Sequence, residues 1–279
     1  MNATPRLVNY VPGIQGVTSG GIATVNIPVD RRYHSLRILT TNAAGTLTDP
    51  TTIVSLVELV VNGIVIRTGA PATFVNIAKT YKYTPGTGEL PLFFTEFWRN
   101  ESPRAAEATS WDMAGQQSFV LRLTFLSPAG GVGIQSILAD FDGKRNTRRD
   151  SSGKEVPFLA IIKQFDVSIV ANNGTNDVTT IPTNWPIQRI YTDISANAIS
   201  SVQIYGDNNV KVWEGTKAEN QYLLNPNDIT ATFFEYPVIF DYDDRIESSL
   251  KTSYLDFRAI TSGAATLTFH VAQMVPGFK

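Results

Sequence analysis

Val57-Glu-Leu-Val-Val-Asn-Gly-Ile-Val-Ile-Arg67 reads as a β-hairpin, two apolar and β-branched runs on either side of Asn62-Gly63. Asn-Gly suits a two-residue type I′ turn, because both central positions need the left-handed backbone that these residues tolerate best. Val202-Gln-Ile-Tyr-Gly-Asp207 has the same character far along the chain, and the neighbourhoods of the two stretches also correspond. Upstream, Ile27-Pro28 followed by Leu36-Arg-Ile-Leu39 matches Ile181-Pro182 followed by Arg189-Ile-Tyr191. Downstream of the first hairpin, Phe74, Ile77, Ala78 and Tyr81 fall at helical spacing; downstream of the second, Thr216-Lys-Ala-Glu219 is a capping box. Then come two aromatic strands, Pro91-Leu-Phe-Phe94 and Pro237-Val-Ile-Phe240, each followed by a helix start at Ser102-Pro103 or Asp244-Arg-Ile-Glu247. Thr109-Ser-Trp111 pairs with Thr252-Ser-Tyr254, and Leu123-Thr-Phe125 with Leu267-Thr-Phe269. Each pairing is a few residues, but their shared order marks an internal duplication whose spacing shifts with loop insertions.

The rest of the chain alternates with period two. Ala23, Val25 and Ile27 share one strand face against Thr24 and Asn26; Phe119, Leu121, Leu123 and Phe125 oppose Arg122 and Thr124. Leu267, Phe269 and Val271 do the same against Thr268 and His270. Turn signals such as Pro85-Gly86, Pro128-Ala-Gly-Gly131 and Gly206-Asp-Asn-Asn209 separate these strands. The expectation is an all-β protein of two tandem eight-stranded jelly rolls, with short helices inserted in loops. The boundaries read as an N-terminal arm over 1–15, a first jelly roll over 16–141, a basic interdomain linker over 142–157 and a second jelly roll over 158–279.

Composition agrees. Of 279 residues, 43% are hydrophobic, 10% aromatic and only 17% charged, which excludes a disordered chain and disfavours a coiled coil. A formal net charge of −2 lacks the basic excess of a general nucleic-acid binder. The absence of cysteine removes disulfides, thiolate metal sites and cysteine nucleophiles. The N-terminus has no apolar core of signal-peptide type. The apolar stretch Ile53 to Ile66 is interrupted by Glu58 and Asn62 and falls short of the roughly 20 residues that cross a bilayer. A soluble chain made without a cleaved secretory signal is expected.

Val11-Pro-Gly-Ile14, the Gly20-Gly21 strand ending at Ile27-Pro28 and the Asn62-Gly63 hairpin with its helix resemble one known family in order. So does Asn173-Gly-Thr-Asn-Asp-Val-Thr-Thr-Ile-Pro182 followed by Ile187-Gln-Arg-Ile190. These stretches resemble the double jelly-roll major capsid proteins of tailless, membrane-containing icosahedral phages, the corticovirus group among them; 127–160 matches least. The resemblance implies a major capsid protein located in the virion shell and made in the host cytoplasm. It implies homotrimers as pseudo-hexameric capsomers, in which two similar domains in each chain present near-equivalent lateral faces to neighbouring trimers. Minor capsid, vertex and membrane proteins, and an internal lipid membrane, are the further partners it implies. The alternative is a carbohydrate- or receptor-binding β-sandwich protein of a phage or bacterium; a β-sandwich hydrolase would need convergent carboxylates in a cleft.

No enzyme motif supports that last reading. Gly-x-Ser-x-Gly, His-Glu-x-x-His and a P-loop are absent, and Gly130-Gly-Val-Gly133 reads as a turn. His34 and His270 sit beside alternating apolar residues and read as half-exposed strand histidines. Asp140-Phe-Asp142-Gly143 fails as a calcium loop, because Lys144 takes the third liganding position and no glutamate closes it. Asp241, Asp243, Asp244 and Glu247 read as a strand end entering a helix N-terminus, with a hard cation as the functional alternative. No catalytic, cofactor-binding or metal residue is assigned, and no cofactor. Lys144, Arg145, Arg148, Arg149 and Lys154, tempered by Asp142, Asp150 and Glu155, form a solvated loop or else a contact for anionic lipid headgroups or packaged genome. No specific nucleic-acid recognition is expected. Trp98, Trp111, Trp185 and Trp213 read as core or interface anchors. Asn173-Gly-Thr175 matches a glycosylation sequon, which acts only along a eukaryotic secretory route.

Overall fold

The computed structural model describes residues 6–99, 107–149, 152, 154–157, 160–194, 199–243 and 248–277. Contacts divide the chain into two units. Unit 1 comprises Met1–Ala78, Thr84–Ile162 and Pro276–Lys279; unit 2 comprises Lys79–Tyr83 and Lys163–Val275.

Unit 1 contains β1 (Leu7–Tyr10), β2 (Ile22–Ile27), β3 (Arg32–Thr41), β4 (Val54–Val61), β5 (Ile64–Gly69), β6 (Glu89–Phe93), the two-residue β7 (Trp111–Asp112), β8 (Phe119–Phe125) and β9 (Gly133–Asp142). One sheet runs β1-β9-β3-β6, with β7 also on β3; across the other the order is β5-β4-β8-β2. A ribbon of β10 (Thr147–Arg149) and β11 (Glu155–Pro157) follows. Unit 2 is built from β12 (Ala160–Ala171, which enters the unit at Lys163), β13 (Gly174–Val178), β14 (Ile187–Ile194), β15 (Ile199–Tyr205), β16 (Lys211–Thr216), β17 (Tyr236–Ile239), β18 (Asp256–Thr261) and β19 (Ala265–Pro276, which leaves it after Val275). Its orders are β12-β19-β14-β17 and β13-β18-β15-β16.

With β7 set aside as an accessory, the two units share one diagram. In each, the first strand lies beside the eighth, the eighth beside the third and the third beside the sixth. The other sheet joins second, seventh, fourth and fifth. This is the jelly-roll order, in which successive strands alternate between two sheets except for the hairpin of the fourth and fifth, and the sheets close over a shared apolar interior. The expected double jelly roll is therefore the fold. One correction concerns the end of the repeat: Leu123–Phe125 lies in β8, the seventh strand of its unit, whereas Leu267–Phe269 lies in β19, the eighth. Two apolar alternating strands read alike on paper, and only pairing tells them apart.

Local sequence explains the elements. Asn62 and Gly63 have φ of 51° and 80°, the type I′ turn joining β4 to β5. The short α1 (Pro50–Ile53) is capped by Asp49, whose carboxylate accepts from the Thr51 amide at 2.9 Å. After the fifth strand of unit 1 comes α2 (Pro71–Thr80), and after the fifth strand of unit 2 comes α3 (Lys217–Leu224). The Thr216 amide donates to Glu219 Oε2 at 2.7 Å and the Glu219 amide to Thr216 Oγ1 at 3.3 Å, completing the expected capping box. The helix starts expected at Ser102-Pro103 and at 244–247 lie outside the described residues.

Each interior follows the alternation. In β8 the pattern buries Phe119, Leu121, Leu123 and Phe125 and exposes Arg122. Trp111 is fully buried, stacked on Phe94 at 4.6 Å and tilted against Phe119 at 5.6 Å. The core of unit 2 collects Val202, Ile204, Tyr236, Val238, Phe257, Phe269 and Val271, with Phe257 and Phe269 edge to face at 4.9 Å. Burying each such large side chain contributes on the order of 1.5–3 kcal/mol. Unit 2 also takes in Tyr81 from the short segment Lys79–Tyr83. Its hydroxyl lies 3.0 Å from that of Tyr191, and the Thr230 amide donates to the Thr80 carbonyl at 2.9 Å.

Two stretches read from sequence as arm and linker carry structure. Leu7–Tyr10, in the arm, forms β1 and pairs antiparallel with Leu138–Phe141 of β9. The 142–157 segment contains the β10–β11 ribbon.

Candidate functional site

A buried polar cluster of unit 1 lies where β3 begins and β9 ends. Arg32 opens β3, and its Cα partner is Asp142, the last residue of β9. The register shifts between Tyr33 and Ser35, and His34 occupies the irregularity. Residues two apart on a strand share a face, and here Arg32 and His34 both meet the same carboxylate. Arg32 donates from Nε to Asp142 Oδ1 at 3.0 Å and from Nη2 to Oδ2 at 2.6 Å, a two-pronged charge-assisted pair. Its remaining donors reach Asn146 Oδ1 at 2.9 Å and Glu107 Oε2 at 2.7 Å. His34 Nε2 lies 3.1 Å from Asp142 Oδ2. The Lys144 amide donates to Asp142 Oδ1 at 2.9 Å.

The electrostatics follow from this geometry. Burial opposes the charge on Asp142, but the Arg32 guanidinium, the Lys144 amide and His34 overcome that penalty and hold the carboxyl below the usual range. Burial dominates at His34 and pushes its pKa down; Asp142 opposes the shift, while Arg6 and Arg32 add to it. Burial thus favours the neutral imidazole, and Nε2 faces the Asp142 carboxylate. Ligand atoms of His34, Glu107 and Asp142 lie within 4.8 Å of one another, a spacing that a metal ion could bridge. The Arg32 guanidinium already binds the two carboxylates there, so the cluster has its cation built in.

Unit 2 has a counterpart on its own third strand. Arg189 donates to Asp241 from Nε at 3.0 Å and from Nη2 at 2.6 Å, and its guanidinium lies 5.3 Å from the Tyr81 ring. Asp241, read from sequence within an acidic cluster, is thus a buried counter-ion. Asp243 accepts from Ser248 Oγ at 2.9 Å, and Asp244 and Glu247 lie outside the described residues. His270 Nδ1 lies 2.7 Å from Asp166 Oδ1. Both histidines correct the sequence reading: they are buried, 0% and 4% exposed, and each faces an aspartate. A strand pattern marks such positions as polar but does not reveal that a carboxylate from another strand lies opposite.

The basic run is partly neutralised. Arg145 Nη1 donates to Asp112 at 3.0 Å and Lys144 Nζ lies 4.0 Å from Glu107, while Lys154 is exposed. Arg148 and Arg149 lie in β10, and their side chains fall outside those described. Trp111 is a core anchor, whereas Trp98, Trp185 and Trp213 are half-buried. A residue that sequence reasoning missed is Arg67 on β5, buried at 6% exposure, whose Nε donates to the Ile162 carbonyl at 3.0 Å over the Trp111 ring at 5.3 Å.

Apolar side chains also remain on the outside. Leu7, Val8 and Tyr10 of the edge strand β1 are 50%, 59% and 68% exposed, and every residue of that strand is exposed. In unit 2, Val210 and Tyr222 are likewise open to solvent.

Comparison with known proteins bears on these surfaces. Residues 8–136 match the viral coat protein P2 N-terminal domain, and residues 159–274 match the viral coat protein P2 C-terminal domain. The fold is similar to that of the major capsid protein P2 from bacteriophage PM2 (TM-score 0.81, 15% identity), covering 98% of this chain and 100% of the other. It is also similar to a chain in the atomic structure of Sulfolobus Turreted Icosahedral Virus (TM-score 0.64, 13% identity), covering 97% and 91%. A chain of the PBCV-1 virus capsid matches at TM-score 0.63 and 11% identity, covering 98% and 94%. No curated protein matches by sequence. The two coat-protein domains occupy the two halves in order, on a double jelly roll shared along the whole length, and the chain belongs to the viral coat protein P2 family as a major capsid protein of the virion shell.

Proposed function

We propose that the chain assembles as a homotrimer, each trimer serving as a pseudo-hexagonal block of an icosahedral shell over an internal lipid membrane. The observation that carries this reading is the repeated strand order, first-eighth-third-sixth and second-seventh-fourth-fifth, in both units. Two alike units in each of three chains give a block with near-sixfold character from threefold symmetry, which can tile a facet. The working surfaces are then extended faces and edges, and the protein acts without catalysis or cofactor. The chain divides for this purpose into two jelly rolls joined through 142–157, and the exposed outer face of the edge strand Leu7–Tyr10 meets a neighbouring subunit or the membrane. Lys144, Arg145, Arg148, Arg149 and Lys154 serve as a contact for anionic headgroups or packaged genome, and minor capsid, vertex and membrane proteins are the further partners.

Light scattering on the purified protein tests the reading. A trimer of about 92 kDa, three times 30.6 kDa, that survives dilution is the expected result. Measured with and without chelator, the same mass in both is expected if no cation holds the trimer together. A monomer in both buffers overturns the trimer.

A further inference from the structure

The sequence contains two Asn-Gly dipeptides, Asn62-Gly63 and Asn173-Gly174. Asparagine is thermally labile, and before glycine its amide is most open to attack by the following backbone nitrogen, because no Cβ shields that nitrogen. The fold treats the two sites differently. Asn62 is half-buried and fully engaged: Oδ1 accepts from the Gln117 and Ser118 amides at 2.8 and 3.2 Å, and Nδ2 donates to Gln116 Oε1 at 2.8 Å. Asn173 is exposed in the turn between β12 and β13, and among the described residues its side chain has no hydrogen-bond partner. Gly174 opens β13 opposite Thr261, and a Cβ built on it would meet nothing within 4 Å, so no neighbouring group crowds that side of the turn. The residues on either side are clamped. Asn176 Oδ1 accepts from the Asn172 amide at 2.8 Å, and its Nδ2 donates to the Asn172 and Gly174 carbonyls at 2.9 and 3.0 Å.

We propose that Asn173 is a site of spontaneous deamidation, a covalent modification that marks the age of the folded protein. The Gly174 nitrogen gives up its proton and bonds to the Asn173 side-chain carbonyl carbon, and ammonia leaves with that proton. Water then opens the resulting succinimide. Attack at the side-chain carbonyl yields aspartate, and attack at the main-chain carbonyl yields isoaspartate; neither step involves oxidation or reduction. Either product adds one negative charge to a chain of net charge −2. The aspartate form leaves the Asn176 clamp in place. The isoaspartate form inserts a methylene into the backbone between two clamped residues, and so strains the turn.

The test is to age the purified full-length protein in mildly alkaline buffer, then digest it and follow both sites by mass spectrometry with electron-based fragmentation, which separates aspartate from isoaspartate. Asn173 is expected to convert at least about tenfold faster than Asn62 in the folded protein, since Asn62 must first shed three hydrogen bonds. In strong denaturant the two rates should converge. The Asn173→Gln variant should lose the acidic species that accumulates in the wild type. An unmodified Asn173, equal rates in the folded protein, or a rate difference that persists in denaturant each overturns the proposal.

Discussion

The Arg189 guanidinium grips the Asp241 carboxylate through two parallel hydrogen bonds, with the side chains of the pair 5% and 0% exposed. A buried pair of this kind contributes little net stability compared with an apolar replacement, yet losing one member leaves an uncompensated charge. Asp241→Asn or Arg189→Leu should therefore destabilise the protein by about 3–5 kcal/mol in denaturant unfolding. Replacing both residues by leucine should recover most of that loss. If the double variant is no more stable than either single one, the pair has a role beyond mutual neutralisation.

Acid should weaken unit 1 in two stages. The folded pKa of His34 lies below its ordinary value of 6.5, because burial disfavours the imidazolium. Below that pH the unfolded chain takes up the proton first, so stability falls from 6.5 toward the lower folded value. Asp142 is held below 3.8 against the cost of burial by Arg32, the Lys144 amide and His34, so its contribution is present above 3.8 and lost as pH falls through its folded value. Melting temperature measured against pH should show both limbs. His34→Gln keeps a donor toward Asp142 and should flatten the upper limb alone; an unchanged slope would count against this assignment.

The hairpin offers a backbone test. Asn62 sits at φ 51°, where a Cβ without compensating side-chain contacts is costly. Asn62→Gly keeps the left-handed freedom while losing the contacts to 116–118; Asn62→Ala loses both. The alanine variant should be less stable than the glycine variant by about 1 kcal/mol, read as a shift in urea midpoint at unchanged slope.

Removal of residues 1–10 takes away the edge strand β1, all of whose side chains are exposed. The remaining strands keep their buried faces, so a cooperative melting transition should persist. The truncated chain should nevertheless form particles poorly, because the exposed Leu7, Val8 and Tyr10 go with it and β9 acquires an open edge. Wild-type particle yield, counted by electron microscopy, would rule out a role for this strand in assembly.

Much of the fold was legible because alternation and turn chemistry are local. Asn62-Gly63, the Thr216–Glu219 capping box and the β8 alternation all took the expected form. The order of repeated signals carried the double jelly roll as well. What escaped was long-range. Nothing near Arg32 in sequence announces Asp142, and nothing near His270 announces Asp166, since strand pairing brings each together across about a hundred positions. Likewise, Leu7–Tyr10 reads as part of an N-terminal arm, and its strand partner in β9 lies more than a hundred residues away. The confusion of β8 with β19 has the same origin, for burial pattern encodes a face but not a neighbour.

The shared wiring of the two units has a genetic consequence. Little local likeness survives between the halves, yet the order of their strands is intact. Any mutation thus falls on one copy of the diagram and leaves the other as an unaltered template. One half is free to change its loops while the strand order of the other stays as it was, a freedom that a chain with a single unit does not have.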